Sequence, residues 1–308
     1  MKHAQEARKK RILITADSAA DLTPEWIRAY DIRVIRHRLH TDAGVFEDAT
    51  EIDSDELCCY MQDGAKTARS QVPDAAAFER FFAEQLEDAE SIFHISISHQ
   101  ASPVYGEAKG AEGAFENVRV FNSGNMAGGA GVFALYAARL AEQGRSMEEI
   151  ADTLMNFKRE LRSVYVLSSS DYLRRGGRMT PLLSKLLTAF LLHPVIIMKN
   201  DRMNFRFVWS SRYRKNFIRR ALKNVARIDP SLLIVPHSAC FEEELRWIRE
   251  EVERYFHFER VICLPTSSAV TVNVGPGTFG LVFRVIPPGE KKTRLFNFLP
   301  GQKEEMTR

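Results

Sequence analysis

Apolar residues fall in short runs through the first half of the chain, and polar residues separate them at intervals suited to alternating strands and helices. Ile12-Leu13-Ile14 is the first run and ends at Asp17-Ser18. Asp21-Leu22-Thr23-Pro24-Glu25-Trp26 follows. This order predicts a buried strand, a polar turn and a helix with Thr23 as N-cap and Pro24 in its first turn. Further strands are predicted over 32–39, over 92–98, where His94-Ile95-Ser96-Ile97-Ser98 alternates with period two, and over 118–121. Helices are predicted over 53–61, over 74–86 with Asp74 as cap, and over the Gly/Ala-rich 127–143. Strands alternating with helices in this way predict an α/β fold with a doubly wound, mostly parallel sheet.

The pattern changes near residue 160. Residues 147–162 form an amphipathic helix whose Ser146 and Glu149 suit a capping box. Beyond it, strands are predicted at 165–167, 194–199, 203–209, 232–235, 262–264 and 280–285, with helices at 216–226 and 242–255. The longest apolar stretch runs from Pro181 to Met198, but Lys185, Thr188, His193 and Pro194 interrupt it, so it falls short of a membrane span. Its expected form is a buried core helix, which could also line a ligand tunnel. The reading that follows is two domains, a doubly wound one over 11–160 and a smaller α+β one over 161–286, with ligand in the cleft between them. Residues 1–10 and 287–308 are expected to be peripheral tails.

A length of 308 residues agrees with two domains, and 45% hydrophobic with 27% charged residues is ordinary for a globular chain. The net charge of +3 gives no argument for nucleic acid. Cys58, Cys59, Cys240 and Cys263 make no C-x-x-C pair, so reduced thiols in the cytoplasm are expected rather than a disulfide frame or a zinc site. Met1 to Lys10 lacks the apolar core of a secretory signal.

Cofactor chemistry finds no foothold. The chain has no dinucleotide fingerprint after a strand, no P-loop, no H-E-x-x-H, no EF-hand loop and no G-x-S-x-G, and its eight histidines are scattered. Gly128-Gly129-Ala130-Gly131 suits close helix packing instead. Neither a cofactor nor a metal is expected. Ser18, Ser98 and Ser123 each stand at or just after the end of a predicted parallel strand, the edge where such sheets bind ligands. Each could equally cap a helix. The basic residues Arg212, Arg214, Lys215, Arg219, Arg220 and Lys223 form either a solvated helix face or a docking surface for an acidic partner.

A series of motifs, taken in order, resembles the DegV family of bacterial fatty-acid-binding proteins. They are ILITADSAADL at 12–22, RSQVP at 69–73, ISISHQASPVY at 95–105, VFNSGNMAGGAG at 120–131, YLRRGGRMT at 172–180, HPVI at 193–196 and VNVGPGTFGLVF at 272–283. The resemblance implies a long-chain fatty acid held between two domains, its tail buried and its carboxylate met by hydroxyls and amides. In some members a separate fatty acid kinase then phosphorylates it, so such a kinase is an expected partner, without nucleic acid and without stable membrane insertion. Carried over by position, Ser70 and Ser98 match head-group hydroxyls, Arg178 matches the arginine of the GGR turn, and Arg212 matches a kinase-facing basic residue. The chain departs from the family pattern at Arg69, where threonine is usual, at Ser102-Pro103-Val104 in place of S-G-T, at Asn122 in place of aspartate, and at Asn273 in place of histidine. Arg69 and Asn273 therefore join Ser18 and Ser123 as candidate ligand contacts. Two other functions stay open: a lipid-responsive regulatory module, and an acyl-group hydrolase or transferase using Ser98 or Ser123. For the second, no histidine and acid can be assigned to activate either serine.

Overall fold

The computed structural model describes residues 10–62, 67–177, 179–209, 211–223 and 225–289. In the first half the chain runs β1 (Leu13–Asp17), a 3-10 turn (Ser18–Ala20), α1 (Pro24–Tyr30), β2 (Arg33–Ile35), β3 (Arg38–Thr41), β4 (Gly44–Glu47), α2 (Ser54–Gln62), β5 (Ala68–Gln71) and α3 (Ala75–Gln85). It continues through β6 (Ile92–Ser96), α4 (Val104–Glu112), β7 (Val118–Asn122), α5 (Gly128–Glu142) and α6 (Met147–Glu160). β2, β1, β6 and β7 form a wholly parallel sheet in that order. Every residue of β1 and β6 is buried, including the polar Thr15, Asp17, His94 and Ser96. The predicted caps are present: Thr23 accepts from Trp26 N, Asp74 accepts from Ala77 N, and Ser146 and Glu149 close a capping box.

The strand expected over 32–39 is two strands in two sheets. His37 N donates to Ser18 Oγ and its carbonyl accepts from Asp48 N, so the parallel ladder stops after Ile35. β3 then turns into a separate antiparallel sheet, ordered β4-β3-β5. The 104–112 helix and this small sheet carry no strong apolar periodicity and were not predicted.

The second half runs β8 (Leu161–Val166), α7 (Asp171–Arg175), α8 (Pro181–Ala189), β9 (Leu192–Lys199), β10 (Arg202–Trp209), α9 (Tyr213–Lys223), β11 (Leu233–Ser238), α10 (Glu242–Glu253), β12 (Val261–Pro265), α11 (Ser268–Val274) and β13 (Thr278–Arg284). Its sheet is ordered β10-β9-β8-β13-β11-β12 and is antiparallel except between β11 and β12. The apolar stretch 181–198 corrects expectation. It is a short helix followed by a strand, and the helix buries only Ser184 and Leu187 against its neighbours. Leu182, Leu183, Leu186, Phe190 and Leu191 remain exposed, because nine helical residues on one strand offer a single buried stripe.

The largest core joins the parallel sheet and α5 to residues of the second half, including Tyr165, Met198, Ile234 and Leu264. A small third core packs Leu39, Leu57, Cys58 and Met61 against Ala269 and Val272 of α11. No helix among the described residues is long and apolar enough to cross a membrane.

Candidate functional site

A cavity of about 1040 Å³ lies where four structural pieces meet. Ile97, Ala101, Ser102 and Pro103, following β6, form one wall. Ile196 on β9 with Met203 and Phe205 on β10 form a second, and Val270, Asn273 and Val274 of α11 a third. His40, Thr41 and Asp42 from β3 and its turn, with Arg69 and Ser70 from β5, make a polar rim. Tyr172, Arg175 and Gly176 complete it. The volume sits at the upper end of the roughly 300–1,000 Å³ usual for small-molecule sites.

The rim is built from backbone necessity. Gly275 ends α11 with φ +77°, and a Cβ there would collide with the Tyr172 ring. The glycine of the Gly275-Pro276-Gly277 motif thus lets α11 and α7 close together over the cavity. Asn273, two residues back, donates from Nδ2 to Ser70 Oγ at 3.2 Å and to the Ala269 carbonyl at 2.8 Å. Ser70 accepts from this amide, and its own hydroxyl proton has no acceptor among the described residues. Arg69 alternates with Ser70 along β5, so its guanidinium is exposed at the lip. Arg178 lies outside the described residues. Arg175, three positions earlier in the same RRGGR run, lines the cavity with its guanidinium 5.6 Å from the centre of the Tyr172 ring.

The strand-end serines differ. Ser18 is buried, donates to Asp48 Oδ2 at 2.5 Å and accepts from His37 N at 3.1 Å. Ser123 is buried, donates to the Asn125 carbonyl at 3.3 Å and accepts from Asn125 N at 3.2 Å. Neither lines the cavity. Ser98 is also fully buried and stands just behind the Ile97–Ser102 wall, where its Oγ accepts from Gln100 N at 3.2 Å. Its hydroxyl proton has no acceptor among the described residues. Neither Ser98 nor Ser123 bonds a histidine among the described residues.

A buried acidic cluster missed in the sequence backs the site. Asp17 accepts through Oδ2 from Ile97 N and Ser96 Oγ, and burial pushes its pKa up to about 7. Its Oδ1 stands 3.9 Å from Nε2 of His37, whose pKa burial lowers to about 4. Asp21 accepts from Ser267 N, Asp48 accepts from Ala269 N, and burial raises both carboxyls. Asp21 and Asp48 therefore tie the first half to the N-terminus of α11. His37 lines the cavity and so brings this cluster to its edge. The only sequence signal for it was Asp17-Ser18 at the end of an apolar run.

Arg212 lies elsewhere, exposed in an open groove with Arg214, Lys215, Glu244 and Trp247. Arg214 pairs with Glu244 and donates to the Gly277 carbonyl at 3.4 Å, which connects the groove to the Gly-Pro-Gly turn. All four cysteines are free, and burial pushes the Cys58 thiol up to about 11 and Cys240 up to about 12. No cluster of three or more His, Cys, Asp or Glu among the described residues could hold a metal ion.

Comparison with known proteins gives one consistent result. The family described as "Uncharacterised protein, DegV family" matches residues 11–285. A DegV domain-containing protein of Caldanaerobacter subterraneus is 25% identical over 283 residues, covering 89% of this chain and 99% of its own. Among solved structures, a DegV family protein from Thermus thermophilus, described by its fatty acid binding, has a TM-score of 0.77 at 24% identity, covering 90% of this chain and 100% of its own. The B3 protein of the Streptococcus pneumoniae fatty acid kinase, loaded with linoleic acid, has a TM-score of 0.74 at 18% identity, with 90% and 100% coverage.

Proposed function

The chain belongs to the DegV family, and from that premise we propose that it binds a long-chain fatty acid and catalyses nothing by itself. The observation that carries this reading is the division of the cavity, with apolar walls from Ile97, Ile196, Phe205 and Val274 under a rim of hydroxyl and amide donors. A tail of about 16 carbons gains roughly 0.8 kcal/mol for each methylene it buries, which offsets the cost of desolvating the head. A buried carboxylate needs donors around it. Ser70 and Ser98 offer hydroxyl protons without an acceptor among the described residues, Asn273 orients Ser70, and Arg69 adds positive charge at the lip. Ser18 and Ser123 support the walls from behind.

The reading extends to delivery. A carboxylate at the rim faces the side of the molecule open to a partner, and a fatty acid kinase in the cytoplasm would take it there. Arg212 is the residue we assign to docking, since it is exposed in a groove whose Arg214 touches the Gly277 turn.

The test is direct. Protein purified from bacteria should release a fatty acid on solvent extraction, detected by lipid mass spectrometry. Delipidated protein should gain about 2.7 kcal/mol of stability when palmitate or oleate is present at about 100 times its dissociation constant. An empty extract together with an unmoved melting temperature would refute the proposal.

A further inference from the structure

The wall of the cavity formed by β9 and β10 is a hairpin at the free edge of its sheet. Ile196 pairs with Phe205 and Met198 with Met203, so one face of the hairpin looks toward the main core, and Ile196, Met203 and Phe205 line the cavity. Among the described residues, β10 has no strand on its other side. The hairpin turns on Asn200 and Asp201, both with positive φ, the two-residue geometry that suits the twist of the flanking strands. Beyond the β8 ladder, something must hold this turn if the wall is to keep its place.

A polar clasp does so. Asp201 Oδ1 accepts from Asn122 Nδ2 at 3.2 Å and stands 3.6 Å from the Nζ of Lys158, a buried lysine on α6. Asn122 Oδ1 accepts from Gly124 N, and its Nδ2 also meets His99 Nδ1 at 2.8 Å, so the amide is oriented from both ends. Gly124 has φ +64°, and a Cβ there would come within 2.5 Å of Asp201 Oδ1 and 3.1 Å of Asp201 Cα. The turn rests directly on this glycine. Two residues along from Asp201, Met203 N donates to Gln100 Oε1 at 2.6 Å, joining the hairpin to the loop that forms the facing wall. A carboxylate at position 122 would set two like charges against each other. The amide found there donates instead.

We propose that Asp201 is a positioning residue that latches the β9–β10 hairpin to the end of β7 and α6, and so limits the length of acyl chain the cavity accepts. This rests on the fatty-acid reading above. With the latch closed, Phe205 and Met203 bound the tail space. With it open, the edge hairpin can move outward and longer tails bury more methylenes.

The experiment measures dissociation constants for saturated acids of about 12 to about 20 carbons in the wild type and three variants. Asp201→Ala and Asn122→Asp should raise the affinity of the longer acids relative to the shorter ones by about fourfold, the worth of one further buried methylene. The swap Asn122→Asp/Asp201→Asn keeps one carboxylate and one amide across the contact and should restore the wild-type profile. Hydrogen exchange of residues 192–209 should quicken in the first two variants and recover in the swap. An unchanged length profile, or an equal loss of affinity at every length, overturns the latch, since either would leave Asp201 a merely structural residue. A wild type that binds none of the acids instead overturns the fatty-acid reading, and the latch as a selector falls with it.

Discussion

Two groups of polar residues near the cavity are finished differently. In the buried acidic cluster, Ser18 donates to Asp48, and Asp21 and Asp48 accept from Ser267 N and Ala269 N. Ser70, on the cavity rim, is half-buried, and Ser98 is fully buried outside the cavity lining, each accepting a hydrogen bond while its own hydroxyl proton has no acceptor among the described residues. Residue type alone does not separate the groups, since both contain serine. What separates Ser18 from Ser70 and Ser98 is whether the hydroxyl proton already has an acceptor among the described residues.

The comparison can be broken most severely at Asp48. Asp48→Ala leaves the Ser18 hydroxyl and Ala269 N–H buried without an acceptor, and should cost about 4 kcal/mol in urea unfolding. If instead stability held and only fatty acid affinity fell, the cluster would belong to the site and the distinction would fail. A second effect, set by pH, is expected at Asp17. Its carboxyl has a higher pKa folded, about 7, than unfolded, so its favourable contribution is complete below about pH 4 and is lost as pH rises through about 7. The depressed His37 works in the opposite sense, losing its contribution as pH falls from about 6.5 toward 4. Asp17→Asn keeps the acceptor for Ile97 N and removes the charge. It should therefore be more stable than the wild type at about pH 8 and close to it at about pH 4. Equal stability differences at both ends of that range would show that the carboxyl ionises freely in the fold.

On the cavity side the expected changes are smaller and fall on binding. Ser70→Ala and Ser98→Ala should each weaken fatty acid binding by about 1–2 kcal/mol, the scale of a hydrogen bond to a charged group, and leave the unfolding midpoint nearly in place. Loss of stability without loss of affinity in Ser98→Ala would move that serine to the structural group. Arg69→Ala should change affinity by about 0.5 kcal/mol or less and lose even that in high salt, since the guanidinium is exposed.

Much of the parallel sheet was readable because its strands are buried on both faces and its helices carry their own caps. Thr23, Asp74 and the Ser146–Glu149 pair mark helix starts wherever the chain goes next. The site was less readable because it is assembled from distant segments. Ser70, Asn273 and Arg69 were reached through family motifs, and the structure brings all three to one rim. His37 and Arg175 were missed, since neither burial beside Asp17 nor stacking on Tyr172 leaves a trace in local spacing. The stretch 181–198 misled for the opposite reason. Apolar character predicted burial there, but a fold must also supply a surface to bury against, and α8 meets one on a single side.

The third core has a consequence in time. Leu57, Cys58 and Met61 pack on Ala269 and Val272, and Ser54 bonds Thr271 at a separation of 217 residues. At roughly 5–20 residues per second, a ribosome needs about 10–40 seconds between making the first of these partners and the second. Through that interval the small sheet and α2 have an apolar face with nothing to cover it. The rim of the cavity thus forms last, after α11 emerges, and the nascent protein spends most of its synthesis without a closed place for a ligand.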